Sequence, residues 1–60
     1  LREVTVTPHG RLAGQRLRDV PQGKHPFIVV MLKRKGQTII PDGDTQVHAG
    51  DEAVIATLAS

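Results

Sequence analysis

The sequence predicts a small α+β domain in which one β-strand is followed by a short helix and three further strands. Three observations support this fold class. Apolar and polar residues alternate near the N-terminus, an unbroken apolar run occupies the middle of the chain, and turn-forming residues divide the second half. Because short turns join the later strands, we expect a mixed, mostly antiparallel sheet with a β-α-β-β-β element order.

The first half of the chain is predicted to contain a strand and then the helix. The alternation over residues 1–7 favours a strand with Val4 and Val6 facing inward. Pro8 ends this strand, because proline has no N–H to donate to a sheet. Over residues 12–20 the apolar side chains fall on one helical face and the arginines on the other, so we expect one or two helical turns there.

The middle of the chain is predicted to be the central strand of the sheet. Residues 27–32 are continuously apolar, a pattern that is typical of a strand covered on both faces. A domain this small cannot cover both faces by itself. We therefore expect the strand to meet a second copy of the chain across a two-fold contact made by Phe27, Val29 and Met31.

The remaining segments alternate turns and strands. Gly36 permits a tight hairpin turn, after which residues 37–40 return as a strand. In the turn over residues 41–44, proline presets φ and we expect Gly43 to adopt the left-handed conformation. Residues 49–51 form the last turn, and residues 52–58 form the closing strand.

Length and composition limit how such a sheet is stabilised. Sixty residues make one domain, which we place at residues 1–60, and a chain of this size buries only about 60% of the surface that its unfolded state exposes. The chain has no cysteine, which excludes disulfides and thiolate metal sites. Since Phe27 is the only aromatic residue, we expect an aliphatic core that dimerisation completes.

Charge and hydropathy exclude two classes of partner. The net charge is only +2, and the basic cluster at residues 33–35 has no neighbouring aromatic side chain to stack on bases, so no nucleic-acid partner is expected. The longest apolar run is far too short to cross a bilayer. We therefore expect this stretch of chain to be soluble, which is compatible with its belonging to a membrane protein.

No set of residues is arranged for catalysis or metal binding. Asp42 and Asp44 resemble the start of a calcium loop, but the later oxygen ligands are missing, and aspartates beside glycine are typical turn residues. No hydroxyl or thiol nucleophile has a basic neighbour. Three histidines are widely separated and favour surface positions: His9, His25 and His48. We expect no catalytic residue, no metal and no cofactor, and hence no enzyme.

Arg34 is the strongest candidate for a binding residue. It ends the apolar strand just before a glycine turn. Its planar guanidinium can donate paired hydrogen bonds to a phosphate, which an ammonium cannot do with the same geometry. The competing interpretation is an ordinary strand-end charge in solvent, and the residues alone leave both open.

Taken together, four motifs in the same order make the chain resemble the TrkA-C domain, the C-terminal ligand-sensing domain of regulators of potassium conductance. The matched features are an opening strand, a Leu-x-Gly before a short helix, an apolar strand that ends in arginine before a glycine turn and Ile-x-Pro, and a Gly-Asp before the last strand. The matching residues are 4–6, 12–20, 28–32, Arg34, Gly36, 39–41 and 50–55. The resemblance covers nearly the whole chain.

This resemblance implies a cytoplasmic regulatory domain of a potassium or cation channel, a cation/proton antiporter or a related permease. Such domains dimerise, and some bind cyclic di-AMP in the groove between the two copies. By position, Ile28 and Val29 would form walls against the bases and Arg34 would contact a phosphate. The alternative is a structural dimerisation module of a transporter with no small-molecule ligand. The expected partners are a second copy, a transmembrane transporter or channel domain, and a small nucleotide.

Overall fold

The computed structural model describes residues 1–57, which form one four-stranded sheet. The strands are β1 (Arg2–Thr5), β2 (Phe27–Arg34), β3 (Gln37–Ile39) and β4 (Glu52–Thr57). Their order across the sheet is β1-β4-β2-β3, and every neighbouring pair is antiparallel. The predicted number and order of strands is confirmed, but the sheet is antiparallel throughout this part of the chain and not mixed. Leu58, the last residue of the predicted closing strand, lies outside the described residues.

The predicted helix over residues 12–20 is wrong. Within residues 1–57 the structure contains no α-helix, and this segment holds a single 3₁₀ turn, Leu17–Asp19. Before that turn Arg16 is extended, with φ −79° and ψ 143°, and it forms an isolated antiparallel bridge with Gln46. Gly14 has a φ of 80°, which an α-helix does not accommodate.

Hydrogen bonds to another segment explain why this helix does not form. The Leu17 N–H donates to the carbonyl oxygen of Thr45 at 3.0 Å, and the Arg18 N–H donates to that of Gly43 at 2.9 Å. In a helix those amides would be satisfied within the segment or left to solvent at its first turn. A segment of nine residues has little intrinsic stability as an isolated helix. The tertiary contacts therefore decide its backbone conformation.

The continuous apolar run of β2 has a local explanation in a β-bulge. Val29 and Met31 pair with consecutive residues of β4, so Val30 is an extra residue in the ladder. The bulge changes which residues face the same way: Val29 and Leu32, three positions apart, both pack into the core. Strict alternation of apolar and polar residues would make one of these two positions polar. An unbroken apolar run keeps both of them apolar.

The core is aliphatic, as predicted, and lies on one face of the sheet, which we call the inner face. Its fully buried members are Val6, Leu32, Val47 and Ala53. Partly buried side chains surround them: Leu12, Ala13, Leu17, Val29, Ile39 and Ile55. The connecting segments before β2 and before β4 therefore replace the expected helix as the layer that covers this face. Val6 is buried as predicted, although β1 already ends at Thr5.

The opposite face of the sheet, which we call the outer face, is apolar at one end. Register and alternation place four apolar side chains there: Ile28, Met31, Val54 and Ala56. Ile28 is 49% exposed. The other end of this face is charged, with a Lys33–Glu3 ion pair at 3.9 Å. Met31, Val54 and Ala56 are half-buried, so Ile28 is the exposed member of this set.

Glycine turns connect the strands as predicted, with one exception. At the β2–β3 hairpin, Lys35 and Gly36 have φ values of 50° and 78°, which is the type I′ geometry that matches strand twist. Gly50, with a φ of 92°, makes the turn before β4. Gly43 does not adopt the predicted left-handed conformation. Its turn is held instead by Asp42, whose carboxylate accepts the Asp44 N–H at 2.9 Å.

Gly36→Ala should destabilise the domain by about 1 kcal/mol or more, because a side chain at that positive φ is strained even though the space around it is empty. The matched control is Gly23→Ala, where an added Cβ also meets empty space but φ is not positive. Urea denaturation should show a loss of stability for the first variant and little change for the second. Equal effects would contradict the type I′ turn.

Candidate functional site

An ion pair between Arg34 and Asp51 is the most extensively hydrogen-bonded side-chain contact of the described residues. Arg34 Nε donates to Asp51 Oδ1 and Arg34 Nη2 donates to Asp51 Oδ2, both at 2.8 Å. Nη2 also donates to the main-chain oxygen of Gln46 at 3.0 Å, and the His48 N–H donates to Asp51 Oδ2 at 2.9 Å. The carboxylate of Asp51 therefore binds the end of β2 and the turn before β4 together.

The charges of this pair stabilise each other strongly. The hydrogen bond from Arg34 holds the pKa of Asp51 below its usual range, against the opposing effect of burial, and the His48 amide lowers that pKa further. The same hydrogen bond raises the pKa of Arg34. Asp51 is 1% exposed and the Arg34 side chain 28% exposed, so one partner is fully desolvated while the other reaches solvent.

This pair rules out an ordinary strand-end charge in solvent for Arg34, and it leaves the predicted phosphate contact a prediction. The side chain is neither an ordinary strand-end charge in solvent nor wholly available to a ligand, because two of its nitrogens are already bonded within the fold. Asp51 is the residue that sequence reasoning missed. Its position after a glycine explains the turn, but seventeen residues separate it from Arg34 and nothing in the spacing signals the contact.

A groove of about 290 Å³ runs beside the first residues of β2, and we call it the strand groove. Its lining consists of Leu17, Arg18, Val20, Gln22, Phe27, Ile28, Val29, Pro41, Asp42 and Gly43. The structure thus brings Ile28 and Val29, the two residues predicted to face bases, to one groove. β3 pairs only with the last three residues of β2, which leaves this edge of β2 unpaired. The Gln22 side chain accepts the Phe27 N–H there at 2.9 Å.

Arg34, the third residue predicted to bind the ligand, lies away from the strand groove. Arg34 follows Ile28 by six residues on the same strand, a separation of roughly 20 Å at the rise of an extended chain. A ligand that contacts both must therefore span most of β2 or cross from one copy of the chain to another. Within a single copy, Arg34 does not belong to the strand groove.

The three residues predicted for the dimer contact do not share one face. Register places Met31 on the outer face, whereas Val29 packs against the core cluster on the inner face. Phe27 lies two residues before Val29, on the same side, and lines the strand groove. Of the residues that sequence reasoning assigned to a site, Met31 and Ile28 are the pair that lies on the outer face, where Ile28 is exposed and Met31 is half-buried.

The described residues contain neither a metal-binding cluster nor a membrane-spanning helix. Within residues 1–57, no three histidine, aspartate or glutamate side chains come together in a way that would hold a metal ion. In the same part of the chain, no helix has the length and apolar character needed to cross a membrane.

The chain belongs to the TrkA-C domain family, whose model matches residues 1–60. A solved structure described as "Structure of RCK domain with cda" is 30% identical in sequence with a TM-score of 0.76, and the match covers 90% of this chain and 74% of that one. No curated protein matches the chain. The resemblance noted in the sequence is thereby confirmed. TrkA-C and RCK domains are regulatory domains of potassium transport systems and are generally non-enzymatic.

Asp51→Asn should cost about 2 kcal/mol of unfolding free energy, because it weakens the charge-assisted hydrogen bonds that the carboxylate accepts from Arg34. It should also alter the pH dependence of stability. Since the folded state lowers the pKa of Asp51, the unfolded chain binds the proton more readily in acid. The contribution is complete above the ordinary aspartate pKa of about 4 and is lost as the pH falls below it.

Urea denaturation at about pH 7 and about pH 3 measures both effects. Asp19→Asn is the control, since Asp19 is exposed and forms no ion pair among the described residues. The stability difference between Asp51→Asn and the unaltered chain should shrink at the lower pH. An undiminished difference would show that the ion pair is not the source of the stabilisation.

Proposed function

We propose that this chain is a cytoplasmic, dimeric ligand-sensing domain that regulates a potassium or other cation channel, a cation/proton antiporter or a related permease. The observation that carries the proposal is the match of the TrkA-C family to residues 1–60, together with the similar RCK structure. The domain that it regulates is a transmembrane transporter or channel domain, in the same chain or in a partner chain. No nucleic acid is involved.

The outer face supports the dimer. It carries the exposed Ile28 beside the half-buried Met31, Val54 and Ala56, and a chain of 60 residues has a small core for its size. A two-fold contact buries the same patch on both copies and so needs no second partner surface. Ile28 and Met31 are the centre of the contact we propose, with Val54 and Ala56 of the neighbouring strand around them.

The ligand we propose is cyclic di-AMP, bound where two copies meet. Ile28 and Val29 supply apolar walls from the strand groove, and Arg34 supplies a phosphate contact from the other end of β2. Since these lie roughly 20 Å apart on one copy, the ligand would take the walls from one copy and the arginine from the other. A further support is that the similar solved structure is described as an RCK domain with cda.

Regulation follows from the difference in affinity between two arrangements of the dimer. A ligand that touches both copies binds the arrangement in which walls and arginine are correctly spaced, and it shifts the population toward that arrangement. The energy delivered to the transport domain cannot exceed this difference in binding free energy. The domain acts as a coupling device and performs no chemistry on its ligand.

Cyclic di-AMP should raise the melting temperature of the domain in a concentration-dependent way, since a ligand that binds only the folded state adds about 2.7 kcal/mol at a hundredfold excess over its dissociation constant. A thermal-shift titration with ATP, ADP and NADH as matched controls measures this. A rise that is selective for the cyclic dinucleotide is the expected result. If no nucleotide shifts the transition, the sensing function is refuted.

Ile28→Lys should dissociate the dimer, because it places a charge at the centre of the outer-face contact without removing a core residue. Gln15→Lys adds the same charge at an exposed position in the layer over the inner face and should leave the dimer intact. Light scattering after size-exclusion chromatography gives the mass of each variant. A dimeric Ile28→Lys variant would move the interface away from the outer face.

A structural dimerisation module is the second candidate function. It is favoured by the outer face itself, whose apolar side chains can hold two copies together without any ligand. The thermal-shift titration with nucleotides distinguishes the two candidate functions. A dimer that no nucleotide stabilises would identify the domain as an assembly element of its transporter.

A further inference from the structure

The side of β1 that faces away from β4 is an open edge of the sheet. Within residues 1–57, β1 stands at one end of the strand order and pairs only with β4. The Val6 N–H donates to the Asp51 carbonyl oxygen at 2.8 Å, which directs the backbone groups of the even-numbered residues toward β4. Because these directions alternate along a strand, the N–H and C=O groups of Glu3 and Thr5 point to the open edge. Both residues therefore offer a donor and an acceptor to an added strand.

An apolar concavity of about 260 Å³ lies beside this edge, and we call the edge and the concavity together the β1 site. Val4, Val6 and Leu12 supply its apolar surface, and Arg11 also lines it. Val4 points to the inner face, because it pairs with the buried Ala53. The concavity is thus placed to receive an apolar side chain from a strand added beside β1, on the side to which Val4 points.

The walls of this concavity are held in place by the fold. Val6 is buried, and its carbonyl oxygen accepts the Gly50 N–H at 2.8 Å. The Gly10 N–H donates to the Thr7 carbonyl oxygen at 3.0 Å and closes the turn that follows β1. A Cβ at position 10 would lie 2.8 Å from Thr7 Oγ1, so the turn packs closely around this glycine. A ligand therefore meets a concavity that is already formed, which lowers the ordering cost of binding.

The charged residues on the inner side of the β1 site are arginines. Arg2 points to that side, since it pairs with Ile55 of the core layer, and Arg11 lines the concavity. Both residues are exposed, and neither forms an ion pair within residues 1–57. The glutamates of β1 and β4, Glu3 and Glu52, lie on the opposite face, where Glu3 already forms an ion pair. Charge complementarity therefore favours an acidic segment over a basic one.

We propose that the β1 site binds an extended segment of a partner protein by strand addition, and that this segment carries the pattern acidic-x-apolar-x-acidic. Side chains two residues apart on a strand share a face and are separated by about 7 Å, which is also the spacing from Arg2 to Val4. The apolar side chain enters the concavity beside Val4, and the flanking carboxylates meet Arg2 and Arg11. The main chain of the segment pairs with Glu3 and Thr5.

The β1 site shares no residue with the strand groove or with the apolar end of the outer face. A partner segment can therefore dock there without displacing a nucleotide or a second copy from those surfaces. The proposal thus adds a contact with another protein to the proposed sensing function and does not depend on it.

The test is an amide chemical-shift titration of the chain with the capped peptide Glu-Thr-Val-Thr-Glu, which places both glutamates and the valine on one face. Its sequence is the same in both directions, so parallel and antiparallel docking use the same side chains. Lys-Thr-Val-Thr-Lys is the charge control. Glu-Pro-Val-Pro-Glu, which lacks the N–H groups of the threonines, is the pairing control. Shifts should concentrate in β1 and the turn after it, and both control peptides should bind about tenfold more weakly or not at all.

Charge variants of the chain locate the contact. Arg2→Gln and Arg11→Gln should each weaken binding of the acidic peptide about threefold, the effect of one exposed ion pair. Arg16→Gln is the matched control, since Arg16 is exposed, forms no ion pair in the described part of the chain and lies outside the concavity. Melting curves should confirm that every variant is folded.

Each contrary outcome overturns the proposal. Equal binding of the acidic and basic peptides would remove the arginines from the contact, and equal binding of the proline peptide would exclude strand addition. Shifts in β1 that grow with protein concentration, in the absence of peptide, would identify a second copy as the occupant. Failure of every peptide to bind would show that this edge does not accept a strand. The proposed response to cyclic di-AMP is measured separately and stands in all of these cases.

Discussion

The Arg34–Asp51 ion pair is the contact on which the arrangement of this small sheet depends. It joins the last residue of β2 to the turn that starts β4, and β4 is the strand that β1 and β2 both pair with. The same carboxylate holds the backbone of His48, and the same guanidinium holds that of Gln46. A buried carboxylate is costly unless it is paired and fully hydrogen-bonded, and here Arg34 and the His48 amide meet that requirement.

The second constraint is that one chain covers only one face of the sheet. Irregular segments bonded to each other, such as the pairing of Leu17 with Thr45, form the inner layer in place of a helix. The outer face is left with an apolar end and a charged end. This division fits a domain whose working form contains more than one copy, because the apolar end is available for a partner while the charged end remains solvated.

A sensing role fits the distribution of the concave surfaces. The strand groove lies at the start of β2, whereas a second concavity lies at its end and is lined by Arg34, Lys35, His48, Ala49, Gly50 and Asp51. One extended strand thus carries an apolar site and a cationic site about its own length apart. The proposed ligand, with apolar rings and phosphates, would match both kinds of surface, and the proposed dimer would let it reach both. The coupling between ligand and transporter would then operate through the spacing of the two copies.

The four strands, their order along the chain and most of their turns could be predicted from the sequence, because period-two patterns and glycine turns such as that at Gly36 are local features. The sequence also determined the family, through motifs spread over the whole chain. The absence of an α-helix over residues 12–20 depends on tertiary contacts, since the amides of Gly14, Leu17 and Arg18 are bonded to a segment more than twenty residues away. The tertiary structure alone revealed the Asp51 partner of Arg34 and the bulge at Val30 that sets which side chains of β2 share a face. Those features arise from contacts between distant parts of the chain, and no local pattern encodes them.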